Sequence, residues 1–114
     1  MVKTASLALA VLLLTAVPAH AADDKESVRE VAYHSARSRG YTLTQWRCLD
    51  LIIYKESRWN PKAVNGSHYG LGQIRNLKPG TPYKKQLTRI FEYINHRYKT
   101  PCVALAHHKR YGWY

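Results

Sequence analysis

The fold is decided by one stretch of the chain, Trp46-Arg47-Cys48-Leu49-Asp50-Leu51-Ile52-Ile53-Tyr54-Lys55-Glu56-Ser57. Its apolar side chains recur at steps of three or four residues, which is the spacing of one face of an α-helix. Thr42 or Thr44 can cap this helix, because a threonine oxygen accepts a backbone N–H at a helix start. The stretch is too long for a strand of a small domain. We therefore predict a helix from this cap to about Ser57.

The segments on either side predict further helices around one turn-rich region. Before the quoted stretch, apolar residues recur at helical spacing over 27–39, after a polar leader at 23–26. After it, 60–82 is rich in Gly, Pro and Asn, which are typical of turns. An amphipathic pattern then covers 87–98, and Thr100-Pro101 starts a last short helix that ends near Gly112. The predicted fold class is mostly α, a small domain with a short loop or β-hairpin region.

The first residues are typical of a secretory signal peptide. Lys3 precedes an apolar run over 5–17, and Ala19-His20-Ala21 has the small-x-small ending of a cleavage site. The run is short for a bilayer, which needs about 20 apolar residues; an uncleaved anchor or a buried helix is the alternative. We expect a signal peptide at 1–21 cleaved near Ala21, a leader and first helix at 22–42, and the main domain at 43–114. No later segment is apolar enough to span a membrane, so we expect a secreted or cell-wall-associated protein.

Composition points to a folded domain with an anionic partner. The chain has 114 residues, 46% hydrophobic and 22% charged, which argues against disorder. Its formal net charge is +11, from 18 Lys and Arg against 7 Asp and Glu. The bases are spread along the chain, and export removes intracellular nucleic acid as a partner, so we expect anionic cell-wall polymers and no nucleic acid. A monomer is the expected oligomeric state.

Cys48 and Cys102 are the only cysteines. An exported protein meets an oxidising compartment, which favours joining them in a disulfide. The alternative is two free buried thiols. A catalytic cysteine would leave the second one unexplained.

Glu56 is the candidate catalytic residue. It lies three residues after Ile53 and seven after Leu49, so the three share one helix face. A carboxyl at the end of an apolar stripe is desolvated, which favours its protonated form and suits a general acid. On periodicity alone, an ordinary surface glutamate beside Lys55 and Arg58 is the slightly better interpretation.

The residues after Glu56 resemble the signature of lysozyme-like lytic transglycosylases. Glu-Ser, Asn-Pro-x-Ala and Gly-Leu-x-Gln recur there in this order, and this chain has Glu56-Ser57, Asn60-Pro61-Lys62-Ala63 and Gly70-Leu71-Gly72-Gln73. The tail from Arg97 to Cys102 and the ending from Ala106 to Tyr114 are similar to a branch of short exported actinobacterial and phage proteins related to aggregation-promoting factors. Several motifs in order are more specific than any one of them.

The resemblance implies a small lysozyme-like domain that cleaves peptidoglycan between N-acetylmuramic acid and N-acetylglucosamine. It implies that Glu56 is the catalytic acid and that Ser57 helps to orient it. The substrate-lining loop that it implies comprises Gly70, Leu71 and Gln73. Asn65 and Tyr69, just before this loop, are further candidate substrate-binding residues, and the Tyr69 ring could pack on a sugar face.

Two departures stand out. Gly72 replaces the usual Met, which predicts a more mobile loop. The usual Ala-Tyr-Asn, whose Tyr faces the acid, is Ala106-His107-His108 here, so either His107 or another aromatic such as Tyr93 takes that role.

The shortage of acids favours a reaction that needs one carboxylate, since most glycosidases use two. In the transglycosylase route, Glu56 protonates the glycosidic oxygen and the muramoyl C6 hydroxyl closes a 1,6-anhydro ring. The alternatives are a muramidase, which hydrolyses the same bond, and a non-catalytic wall-binding module. A cationic antimicrobial protein is a further class. We expect no cofactor, and no metal at His107 and His108, because neighbouring helical residues point in different directions.

Overall fold

A computed structural model describes the backbone of residues 20–114 and the side chains from Lys25 onward. The predicted signal peptide, residues 1–21, lies outside the residues whose side chains are described. The elements are, in chain order, α1 His20–Ser38, α2 Leu43–Ser57, β1 Val64–Asn65, β2 His68–Tyr69, β3 Ile74–Arg75, α3 Tyr83–Tyr98 and α4 Pro101–Tyr111. The predicted mostly α fold with a β-hairpin region is confirmed.

Helix α2 is the centre of the domain, as its sequence pattern predicts. The Thr42 side chain accepts a hydrogen bond from the Gln45 backbone N–H at 3.2 Å, so Thr42 rather than Thr44 caps the helix. Leu49, Ile52 and Ile53 are fully buried, and α1 and α4 pack against the helix. The apolar stripe of α2 therefore forms the middle of the core.

Asp50 joins α1, α2 and the turn that follows α2. Arg29 donates to both carboxylate oxygens of Asp50, at 3.0 and 2.6 Å, and the Trp59 indole N–H donates to Oδ1 at 2.9 Å. This bidentate pair is only partly buried, so its net contribution to stability is small. Its two parallel hydrogen bonds fix the orientation of α1 relative to α2. Asp50 is thus a structural acid that lies outside the candidate site.

Helix α4 begins and ends at the predicted signals. The Thr100 hydroxyl caps it, Pro101 is its first residue, and Gly112 ends it with a left-handed φ of 80°. The Cys48–Cys102 disulfide joins α2 to α4 across a sequence separation of 54, which confirms the predicted pairing. The disulfide fixes the N-terminal end of α4 against the helix that carries Glu56.

Two helices are longer than their patterns predict. Helix α1 starts at His20, so the predicted polar leader at 23–26 is helical; its Lys25 and Glu26 are residue types that favour helix. Helix α3 starts at Tyr83, four residues before the first apolar position of its stripe, and no side chain caps it. In the part of the chain that the structure describes, no helix is long and apolar enough to cross a membrane.

The strands form a small antiparallel sheet in the order β1-β2-β3. Asn65 pairs with His68, and His68 pairs in turn with Arg75. Opposite residues of neighbouring strands lie on the same face of a sheet. The sheet therefore presents one row of polar side chains on a single face, next to the end of α2.

Candidate active site

Glu56 lies in the last turn of α2, at a cleft of about 390 Å³ between that helix, the sheet and the end of α4. Its side chain is 17% exposed, so it is largely withdrawn from water but open to the cleft. Besides Glu56, side chains that line this Glu56 cleft include Asn65, Gln73, Arg75, His108 and Trp113. A largely buried acid that opens onto a concave site can come within hydrogen-bond reach of a bound substrate, which is the geometry that a general acid requires.

His108 makes the direct contact with Glu56. Its Nε2 lies 2.7 Å from Glu56 Oε1, and its side chain is 13% exposed. In the Nε2–H tautomer, the imidazole donates to Oε1 and leaves Oε2 without a partner among the described residues. The contact therefore fixes the carboxyl and leaves one oxygen for a ligand.

His107 or Tyr93 was predicted to face Glu56, but the residue that contacts its carboxyl is His108. His107 Nδ1 lies 2.9 Å from the Trp113 carbonyl oxygen, and the Tyr93 hydroxyl donates to the main-chain oxygen of Tyr114 at 2.8 Å. A signal for His108 existed in the sequence. His108 follows the buried residues Ala104 and Leu105 by four and three positions, so it lies on the buried face of α4.

The loop 70–73 forms one wall and is tied to α2 by Ser57. The buried Ser57 hydroxyl lies 2.7 Å from the Leu71 carbonyl, to which it donates, and 3.1 Å from the Ile53 carbonyl. Ser57 therefore contacts the loop backbone and not the Glu56 carboxyl. Because it follows Glu56 directly, it sets the distance between the wall and the acid.

Gln86 holds the other side of this loop and had no signal in the sequence. It lies on α3 and is 1% exposed. Its Oε1 accepts from the Leu71 N–H at 2.8 Å, and its Nε2 donates to the carbonyls of Pro61 and Thr81 at 2.9 and 2.8 Å. One buried amide thus joins three separate loop segments.

Replacing Gln86 by Met is expected to lower the free energy of unfolding by about 3 kcal/mol, because it leaves a buried N–H and two carbonyls without partners. Urea unfolding followed by circular dichroism measures this. Asn95→Met makes a similar change at an exposed position of the same helix and should cost much less. Equal unfolding midpoints for the two variants would contradict this role of Gln86.

Tyr114 packs beneath the loop at Gly72. Its hydroxyl donates to the Gly72 carbonyl at 2.7 Å, and its side chain is buried. Burial raises the pKa of the Tyr114 phenol well above its ordinary value, and the nearby Glu56 charge raises it further. The phenol therefore stays a neutral donor through the physiological pH range.

Gly72 is tightly packed, which argues against the predicted mobile loop. A Cβ placed there would lie 2.6 Å from both Ile90 Cγ1 and the Tyr114 hydroxyl oxygen. Ile90 and Tyr114 thus occupy the space that a side chain at position 72 would need. Gly70 is also packed, since a Cβ there would lie within 3 Å of Gln86, and its φ is 85°.

The structure brings some of the predicted site residues to the cleft and places the others behind its walls. Those that line it are Glu56, Asn65, Gln73 and Tyr93. Those that do not are Ser57, Tyr69, Gly70, Leu71 and His107. Ser57, Gly70 and Leu71 support the loop 70–73, Tyr69 is buried at 7% exposure, and His107 holds the chain near Trp113.

Gln73 supports the sheet side of the cleft. Its Nε2 donates to the carbonyls of Ala63 and Gly70, at 3.0 Å in each case. Its backbone has a φ of 49°, a conformation that is uncommon outside glycine. Strained backbone of this kind persists only where surrounding bonds fix it, and it is frequent at functional sites.

Trp113 is the aromatic residue most available to a ligand in the cleft. It is 50% exposed, whereas Trp59 is buried at 5%. The Arg97 guanidinium lies 5.0 Å from the Trp113 ring, and the His107 ring lies edge-on to it at 4.5 Å. These contacts hold an open aromatic surface at the cleft.

The described side chains contain no group of three or more His, Cys, Asp or Glu residues that could hold a metal ion.

Comparisons of the chain with protein-family models, with curated proteins and with solved structures find no match.

Proposed function

We propose that the chain is a peptidoglycan lytic transglycosylase with Glu56 as its only acid and base. The observation that carries the proposal is the largely buried Glu56, which His108 contacts in a cleft that no other described Asp or Glu side chain lines. The order of the motifs around Glu56 supports the same assignment. The proposed substrate is the β-1,4 bond between N-acetylmuramic acid and N-acetylglucosamine.

The first step is protonation of the leaving group. Glu56 Oε2, the oxygen that His108 does not contact, delivers its proton to the glycosidic oxygen as the bond to the muramoyl C1 breaks. The substrate's own acetamido group shares the positive charge that develops on C1, so a second protein carboxylate is not required. The glycan fragment beyond the bond leaves as an alcohol.

The second step closes a ring and returns the proton. The Glu56 carboxylate accepts the proton of the muramoyl C6 hydroxyl as the oxygen of that hydroxyl attacks C1. The product is a 1,6-anhydromuramoyl end, and no water is consumed. Since both reacting groups belong to one sugar, the step benefits from a high effective concentration.

His108 contributes by positioning Glu56 rather than by touching the substrate. Its N–H on Oε1 stabilises the carboxylate formed in the first step and keeps Oε2 directed at the cleft. Hydrogen bonds to charged groups are worth about 1.5–3 kcal/mol, which corresponds to a ten- to hundredfold change in rate.

His108→Ala is expected to lower kcat about thirtyfold with little change in KM, because the carboxyl loses its fixed orientation. His108→Gln keeps a donor and should restore much of that loss. Initial rates of muropeptide release measure both variants. His96→Ala, at an exposed position of α3, serves as the control. A His108→Ala protein with the wild-type kcat and pH profile would contradict the positioning role.

We propose that the protein acts on the cell wall after export. Its positive charge would attract it to a polymer that carries peptide carboxylates and phosphates. The test of the proposed function is digestion of purified peptidoglycan with the wild type and with Glu56→Gln, followed by mass analysis of the soluble products. We expect anhydro-ended muropeptides from the wild type only; no cleavage by the wild type would contradict the proposal.

A further inference from the structure

The Glu56 cleft carries positive charge on two of its walls. Lys55 projects from α2 and Arg75 from β3, and His68 lies opposite Arg75 on β2. Lys55 and Arg75 are exposed to solvent, and neither makes a salt bridge within the described part of the chain. A concave site with uncompensated charge concentrates its electric field on whatever binds there.

The other acids whose side chains the structure describes lie elsewhere. Glu26 and Asp50 pair with Arg29, Glu92 pairs with Arg89, and Glu30 lies 3.9 Å from His34. None of these four lines the cleft. Glu56 is therefore the only described acidic side chain that lines the cleft.

We infer that the Glu56 cleft binds a carboxylate of the substrate between Lys55 and Arg75, namely a free carboxylate of the peptide attached to the muramic acid. This inference rests on the proposed function and specifies its substrate. The lactyl group that carries the peptide is attached directly to the reacting muramoyl ring, so a peptide carboxylate can reach the cleft walls. Arg75 can bind it through two parallel N–H donors, and Lys55 as a point charge.

The chemistry favours a carboxylate over a wall phosphate. A phosphate linked to the muramoyl C6 oxygen would block the hydroxyl that must attack C1 in the second step. Peptide carboxylates leave that hydroxyl free. A neutral glycan such as chitin has no carboxylate to pair with Lys55 and Arg75, so it is expected to bind weakly.

The test compares two forms of the same sacculi, one with free peptide carboxylates and one with the carboxylates converted to amides. Binding is measured with the Glu56→Gln protein, so that cleavage does not change the substrate, and cleavage is measured with the active protein. The Lys55→Met and Arg75→Met double variant removes the proposed site. The Arg47→Met and Lys85→Met double variant removes the same charges from exposed positions away from the cleft.

We expect the free form to bind about tenfold more tightly than the amidated form, since two partly exposed ion pairs are lost on amidation. The Lys55 and Arg75 double variant should bind both forms within about twofold of each other, while the control variant keeps the tenfold ratio. The inference would be overturned if the Glu56→Gln protein with Lys55 and Arg75 intact bound the free and amidated forms equally. It would also be overturned if the Lys55 and Arg75 double variant kept the tenfold preference for the free form.

Failure of the inference and failure of the proposed function give different results. Equal binding and equal cleavage of both forms would remove the carboxylate site and leave the transglycosylase standing. A tenfold binding ratio without cleavage of either form would retain the site as a peptide-carboxylate binding surface and overturn the catalytic proposal.

Discussion

Replacing Glu56 by Gln is expected to lower the rate of peptidoglycan cleavage about a thousandfold, within the range that general acid catalysis contributes. Glutamine keeps the size of the side chain and an oxygen that can accept from His108, so the 2.7 Å contact and the packing can survive. It cannot deliver a proton to the leaving group. The expected loss is therefore in kcat, with stability and substrate binding little changed. Initial rates and urea unfolding of the purified variant measure these quantities.

The matched control is Glu92→Gln on α3. Glu92 is exposed, forms a surface ion pair with Arg89 and lies outside the cleft, so its replacement should leave the rate within about twofold of wild type. If Glu56→Gln retains more than about a tenth of the wild-type rate, another group supplies the proton and the assignment of Glu56 fails.

Removing the disulfide is expected to have the largest effect on stability. Replacing both Cys48 and Cys102 by Ala opens a loop with a sequence separation of 54 and should lower the free energy of unfolding by about 4 kcal/mol. For a domain of this size that corresponds to a fall in the melting temperature of about 20 °C. Thermal and urea unfolding of the double variant measure both values.

Reductant provides the control for this effect. It should destabilise the wild type by a similar amount and leave the double variant unchanged, because only the wild type has a bond to reduce. Without reductant, iodoacetamide should label neither cysteine of the folded protein. An unfolding midpoint of the wild type that does not respond to reductant would contradict the predicted contribution of the disulfide.

Helices α2 and α4 could be predicted from the sequence because their signals are local. The caps at Thr42 and Thr100, Pro101 at the start of α4 and Gly112 after its end all act through nearby backbone groups. The cysteine pairing could also be predicted, since a chain with two cysteines allows only one intramolecular pair. The start of α3 was missed because its first turn has neither a capping side chain nor apolar periodicity.

Only part of the candidate site could be predicted, because several of its contacts join residues that are far apart in the sequence. Glu56 could be found because it continues the apolar stripe of its own helix. Gln86 and Tyr114 could not, because they contact the loop 70–73 across 15 and 42 residues of sequence. His108 lies 52 residues from Glu56, and only the buried face of α4 distinguishes it from its neighbour His107.

The identity of the new chain ends tests the central claim most directly. Peptidoglycan digested by the wild-type protein is treated with borohydride, which reduces an open sugar end and leaves a 1,6-anhydro end unchanged, and the products are then weighed by mass spectrometry. If Glu56 acts alone as acid and base, the released muropeptides carry 1,6-anhydromuramoyl ends that resist reduction. If they carry reducible ends instead, water is the nucleophile, and the single-carboxylate ring closure at Glu56 is contradicted.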